Sequence, residues 1–138
     1  MKSLTVVFDN VPGLPGLIAG WGYAAVIQGY DRTILFDAGS DGATLLSNMR
    51  ALSLLPRSIE LIFLSHAHAD HAGGLPDILR LTPNAELVVP EGIPRRLAEA
   101  IEAPGAGFRS AEPAEQLADG VTTTGSLPGK QVEQGLVL

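Results

Sequence analysis

The stretch Ser65–Gly74, SHAHADHAGG, places three histidines and an aspartate within six positions. These are all the histidines the chain has, and it has no cysteine, so His66, His68 and His71 are its whole supply of imidazole and thiolate ligands. Imidazole and carboxylate at this density suit a metal ion. In an extended segment residues two apart point the same way, so His66 and His68 can meet on one ion. His71 follows Asp70 directly and points elsewhere unless the backbone turns. Ala67, Ala69, Ala72, Gly73 and Gly74 leave room for that turn. The spacing therefore suits two neighbouring ions, with His66 and His68 on the first and Asp70 and His71 on the second. With nitrogen and oxygen donors only, zinc is the first choice, and iron and manganese are compatible. The competing reading is of scattered surface histidines or caps of a following helix, which fits a lone histidine better than this cluster.

The elements that position the cluster can be read from hydrophobic spacing. IELIFLS, from Ile59, is nearly all apolar, too short for a free helix and rich in β-formers, and so reads as a strand buried on both faces that delivers the histidines at its end. Upstream, Leu4–Phe8 reads as a strand running into a Pro/Gly-rich loop that reaches about Gly20. Tyr23–Gln28 and Thr33–Phe36 read as a hairpin turning around Asp31 and Arg32. Leu45, Leu46, Met49 and Leu52 mark one helical face, with Ser40 or Asp41 as cap and Pro56 as stop. Downstream, GGLPDILRL reads as a short helix with Pro76 in its first turn, AELVVP as a strand, and IPRRLAEAIEA as an amphipathic helix. Residues 105–120 read as loop with room for one short strand, and Val121–Thr124 as a strand. This order gives an α/β layer, with helices over one face of a mixed sheet. It leaves the other face in need of a cover.

A chain of 138 residues is read as one domain, able to bury roughly two-thirds of its unfolded surface. Its net charge of −6 argues against broad attraction to nucleic acid or to anionic membrane. MKSLTVVF is too short for a signal h-region or a membrane span, and the lack of cysteine fits a reducing compartment, so a soluble, cytoplasmic protein is expected.

HAHADH, set after a strand ending in serine, resembles the HxHxDH motif of the metallo-β-lactamase superfamily, and ILFDAG upstream and GGL downstream extend the likeness. VVFDN, WGYAAVIQG and TTTGSLPG look like the superfamily's dihydropterin and ribofuranosylaminobenzene phosphate synthase branch. The resemblance implies that His66 and His68 ligate one metal and Asp70 and His71 another, with Asp37 orienting a ligand from a neighbouring strand end. It also implies that Asp9, Asn10 and, more weakly, Thr124 with Gly125 border a substrate pocket. Complete members stack two αβ halves as an αββα sandwich, and the second half supplies further ligands. Residues 1–138 are accordingly expected to be a single truncated domain, the first half only, with EQGLVL resembling the strand before a Gly-Cys-Ser-His ligand loop. Half a sandwich would leave an apolar sheet face bare, so a two-fold homodimer or a complementing C-terminal half is the expected partner.

The first functional expectation is a zinc-type hydrolase acting on a small-molecule ester, phosphoester or related bond, with water activated by one or two ions and Asp70 doubling as ligand and proton acceptor. The alternatives are a non-catalytic metal-binding or assembly half-domain, and a pterin-type synthase.

Overall fold

The apolar runs around the histidine cluster become strands, and the periodic stretches between them become helices. The computed structural model describes residues 1–138. In chain order the elements are β1 (Ser3–Phe8), β2 (Ala24–Gln28), β3 (Ile34–Phe36), α1 (Gly42–Ala51), β4 (Leu61–Phe63), α2 (Ala69–Ala72), α3 (Leu75–Leu81), β5 (Glu86–Val88), α4 (Arg95–Glu102), β6 (Gln116–Ala118), β7 (Val121–Thr123) and β8 (Leu136–Val137). A single 3₁₀ turn at Pro56–Ser58 follows α1. Asp41 caps α1 by accepting a hydrogen bond from the Thr44 amide at 2.8 Å, and Leu45 and Met49 on its inner face are fully buried. Pro76 opens α3 without losing a bond, since a first-turn amide has no intrahelical acceptor.

The main sheet has the order β1-β2-β3-β4-β5. The pairs β1–β2 and β2–β3 are antiparallel, as expected of the hairpin, whereas β3, β4 and β5 run parallel, joined through α1 and through α2 and α3. The C-terminal ends of the parallel strands β3 and β4 therefore lie side by side, which is where α/β sheets carry their sites. Alternate residues sort to opposite faces. Leu35 and Ile62 join Leu45, Met49, Leu75 and Ile78 under the helices, in one core.

Ile34, Leu61, Phe63 and Val88 face the other way, and here the structure corrects the sequence reading. That face is covered by the chain's own second sheet, order β6-β7-β8, through Leu117, Ala118 and Val121. Val121–Thr123 thus belongs to a second layer and not to the main sheet. Polar ties hold this layer in register: Arg32 donates to the Leu117 carbonyl at 3.0 Å, and the Asp119 amide donates to Asp31 at 2.7 Å. Val121–Thr124 reads as a strand in the sequence, but which sheet it joins is set by its pairing with β6 and β8, which no local pattern marks. The physical reason given for a homodimer, a bare sheet face, falls away with this cover. No helix is long and apolar enough to cross a membrane.

Candidate metal centre

β4 ends at Phe63, and the chain leaves it through Leu64 and Ser65 into the histidine loop. His66 and His68 lie on this loop, and the backbone turn that His71 needs is supplied by α2, one helical turn holding Asp70 and His71. The His68 carbonyl accepts the first bonds of that turn, from the His71 and Ala72 amides at 3.0 and 2.9 Å. The result is a grouping that strand spacing alone does not give. One ligand atom each from His66, Asp70 and His71 lies within 4.8 Å of the others. His68 stands exposed at the rim, its ring edge-on to His66 at 4.8 Å between centroids.

Asp37 follows β3 and is almost completely buried, with a left-handed backbone (φ 58°) that aspartate tolerates better than most residues. Its Oδ1 accepts from the Ser65 amide at 2.7 Å, and its Oδ2 accepts from the Ser65 hydroxyl and from His71 Nδ1, each at 2.7 Å. The Ser65 hydroxyl proton is spent on Asp37, so at 2.9 Å its oxygen accepts from His66 Nδ1. The network thereby assigns one tautomer to both rings, with the proton on Nδ1 and the lone pair on Nε2. His71 Nε2 lies 3.4 Å from Asp70 Oδ2, inside the cluster.

The electrostatics follow the same contacts. The Asp37 hydrogen bond raises the His71 pKa above the usual imidazole value, against the effect of burial. Burial and the nearby His71 ring lower that of His66. Tyr23 is pushed above the ordinary phenol value by burial, then by Asp37 and Asp9.

Glycines let the supporting loops touch main chain to main chain. A Cβ on Gly73 would lie 2.0 Å from the Ser40 carbonyl oxygen, and one on Gly22, itself at φ 128°, would lie 1.9 Å from that of Asp70. Asn10 holds Gly22 in place by accepting from its amide at 2.6 Å, while Asp9 accepts from the Val11 amide at 3.0 Å. Both residues thus shape the loop that backs Asp70. Asp9 also lines a cavity of about 310 Å³ beside β1, away from the loops that adjoin the histidines. The Thr124 hydroxyl accepts from the Gly135 amide at 2.9 Å and donates to the Gly125 carbonyl at 2.8 Å, which ties β7 to the approach to β8. Against the histidine loop itself lie a cavity of about 490 Å³, walled by Ala67, Ala69, Pro76, Leu97 and Ala100, and one of about 180 Å³ that includes Ala67, Pro90 and Lys130.

Sequence reasoning assigned no role to Ser65 or to the buried Asn48. Asn48 donates to the Val7 and Ile18 carbonyls and accepts from the Ile18 amide, pinning the loop after β1. A serine directly before the first histidine was the available signal for Ser65; nothing marked Asn48.

The family model of the metallo-beta-lactamase superfamily matches residues 20–127. The chain belongs to that superfamily. Among curated relatives, it is 43% identical over 53 residues to 7,8-dihydropterin-6-methyl-4-(beta-D-ribofuranosyl)-aminobenzene-5'-phosphate synthase of Methanocaldococcus jannaschii, a match covering 38% of this chain and 18% of the relative. It is 46% identical over 55 residues to ribonuclease Z of Nanoarchaeum equitans, covering 40% of this chain and 16% of that one. Its fold superposes along its whole length on a metal-dependent hydrolase of the beta-lactamase superfamily, with a TM-score of 0.70 at 15% identity, and takes in 61% of that chain. The matched segments thus span well under a quarter of these curated relatives and less than two-thirds of the solved structure.

Proposed function

We propose that this metallo-beta-lactamase superfamily chain is a metal-dependent hydrolase in which His66, Asp70 and His71 hold an ion, with His68 available at the rim. The observation that carries the reading is the Asp37–Ser65 network, because it protonates Nδ1 of both inner histidines and so leaves both Nε2 atoms as donors. Two imidazoles and a carboxylate within 4.8 Å, with no thiolate anywhere in the chain, fit zinc first and iron or manganese next. When bound, the ion supplies Lewis acidity that polarises a carbonyl or phosphoryl oxygen and makes water nucleophilic near neutral pH.

The remaining work falls to the chain's own groups. Asp37 and Ser65 lock both imidazoles in orientation, so that little reorganisation is left for the reaction. Asp70, partly open to solvent, accepts the proton that water gives up as it attacks. Leu97, Ala100 and Pro76 offer an apolar wall beside Ala69 for the organic part of an ester or phosphoester, and Lys130 lies near Ala67 on the other flank. A second ion position completed by another copy, or by a complementing half, belongs to the same proposal.

The test is metal content per chain after purification without chelator, followed by an ester and phosphodiester hydrolysis screen. The expected result is bound zinc that His66→Ala and His71→Ala each remove, and turnover that follows the metal. Metal without turnover on any substrate would favour the non-catalytic assembly reading, and a chain that retains no metal would refute the proposal.

A further inference from the structure

Leu64 and Ser65, the two residues that deliver the histidines, are held from both layers of the fold. From the main sheet side, the Leu64 amide donates to the Val88 carbonyl at 2.9 Å and the Ser65 amide to Asp37 Oδ1 at 2.7 Å. Both of their carbonyls are taken by one residue of the second layer. Gln134 Nε2 donates to the Leu64 carbonyl at 2.8 Å, and the Gln134 amide donates to that of Ser65 at 2.9 Å. These are the only hydrogen bonds between residues 113–138 and residues 64–74. Gln134 is itself fixed: Glu133 before it pairs with Leu127, and Gly135 after it bonds twice to Thr124, at 2.9 Å each. Its side chain is 4% exposed. A carbonyl can only accept, so Leu64 decides which end of the side-chain amide faces it. The other end, Oε1, is buried without a protein partner. An apolar side chain of the same length would avoid that cost, so what glutamine adds at this position is its donor.

We propose that Gln134 is a positioning residue of the metal centre, through which docking of the second sheet and metal affinity are coupled. The proposal rests on the metal reading above. Peptide planarity converts the two bonds into orientation. The plane between Leu64 and Ser65 is held at both ends, its carbonyl by Gln134 Nε2 and its N–H by Asp37. The plane between Ser65 and His66 is held through its carbonyl by the Gln134 amide. Together they set the direction from which the Ser65 hydroxyl meets Asp37 Oδ2 at 2.7 Å and His66 Nδ1 at 2.9 Å. Loss of the Nε2 bond frees the first plane to turn, and the hydroxyl that orients His66 turns with it. Coupling of this kind is reciprocal: what the metal gains from a docked second layer, the docked layer gains from the metal.

The experiment uses the intact chain, wild type and Gln134→Met, with zinc and with cobalt(II). Methionine keeps the length of the side chain and removes both the donor and the buried Oε1. Zinc affinity is read by competition with a chromophoric chelator, the setting of the imidazoles by the visible spectrum of the cobalt(II) form and the nitrogen-15 shifts of His66, and the fold by urea unfolding of the metal-free protein. The expected result is zinc binding weakened by about 10-fold, with an altered cobalt spectrum and shifted His66 signals, at a urea midpoint close to that of wild type. In the wild type, zinc should also slow hydrogen exchange at the Gln134 and Thr124 amides, and the slowing should shrink in the variant. Wild-type affinity and spectrum in Gln134→Met overturn the proposal and leave the metal reading standing. So does a weakened affinity that follows a lowered urea midpoint and recovers fully in a stabilising osmolyte, because that pattern marks a residue of the fold and not of the site. If the variant does not fold, exchange in the wild type decides: zinc that protects the His71 amide but not that of Gln134 overturns the coupling. Failure of the wild type itself to bind zinc or cobalt takes both readings down together.

Discussion

Replacing Asp37 by asparagine isolates the chemistry of the network from the shape of the chain. Asparagine tolerates the left-handed conformation at φ 58° as well as aspartate does, so the backbone is left alone. Its carbonyl oxygen can still accept from the Ser65 amide, but its amide group then faces two donors, the Ser65 hydroxyl and His71 Nδ1–H, each 2.7 Å from the present position of Oδ2. Both of those bonds are lost in their present direction, and are remade only if the hydroxyl turns and His71 moves its proton to Nε2. Hydrogen bonds to a buried charged group contribute about 1.5–3 kcal/mol each, and the serine hydroxyl can rotate to recover part of its share, so the metal-free protein should lose about 2–4 kcal/mol of stability. His71 is then free to carry its proton on Nε2, which removes that atom as a donor. The expected cost in zinc affinity is about 10- to 100-fold, or roughly 1.4–2.7 kcal/mol. Urea unfolding of the metal-free form gives the first number, chelator competition the second, and nitrogen-15 shifts of the His71 ring report the tautomer directly. Ser65→Ala serves as control: it removes the bridge to His66 but leaves His71 on Asp37, and should cost about 1 kcal/mol. An Asp37→Asn protein with wild-type zinc affinity and an unchanged His71 tautomer would refute the reasoning.

Three further perturbations test other parts of the structure. Leu117→Ala removes a buried side chain from the layer that covers Phe63 and Leu61, and should cost about 2–4 kcal/mol in denaturant unfolding; a loss below about 0.5 kcal/mol would mean that the second sheet is not docked. Gly22→Ala would place a Cβ 1.9 Å from the Asp70 carbonyl oxygen at φ 128°, so α2 must move, and both thermal stability and zinc affinity should fall in the same variant. Burial raises the Glu86 pKa, but hydrogen bonds from Arg109 and Arg32 outweigh it and hold the carboxyl below the usual range. A group depressed in this way stabilises the fold above its unfolded pKa and loses that contribution as pH falls through its folded value. Urea midpoints should therefore drop between about pH 5 and pH 3 more steeply in wild type than in Glu86→Gln, and parallel curves would count against the role of this ion pair.

The part of this molecule that the sequence made legible is the part with periodicity or dense chemistry. IELIFLS is nearly all apolar, so β4 and its burial on both faces could be read, as could α1 from Leu45 and Met49. The histidine cluster announced itself by composition alone. What could not be read was decided by geometry that leaves no local pattern. A period-two reading of the loop pairs His66 with His68, whose ring centroids do lie 4.8 Å apart; what it does not give is the helical turn from Ala69 that also brings Asp70 and His71 beside His66. Val121–Thr124 could be read as a strand, but its pairing with β6 and β8 into a separate sheet is a long-range arrangement that no local pattern marks.

The precision of the site is a property of main chain more than of side chains. The loop after β3 and the loop after β4 are bonded backbone to backbone: the Asp37 amide donates to the Phe63 carbonyl at 2.9 Å, the Ala38 amide to that of His71 at 2.8 Å, and the Gly74 amide to that of Gly39 at 3.2 Å. These contacts require that Gly73 and Gly74 carry no Cβ, since one on Gly74 would lie 2.2 Å from the Ala38 carbonyl oxygen. The two glycines after the last histidine therefore act on the centre as directly as Asp37 does, by letting the strand end that carries Asp37 close onto the turn that carries His71. A ligand set held in this way would be stiff where Asp37 and Ser65 touch it and open where Asp70 and His68 meet solvent. That asymmetry suits the proposed hydrolytic role: fixed imidazoles on one side, and on the other an approach for water and substrate.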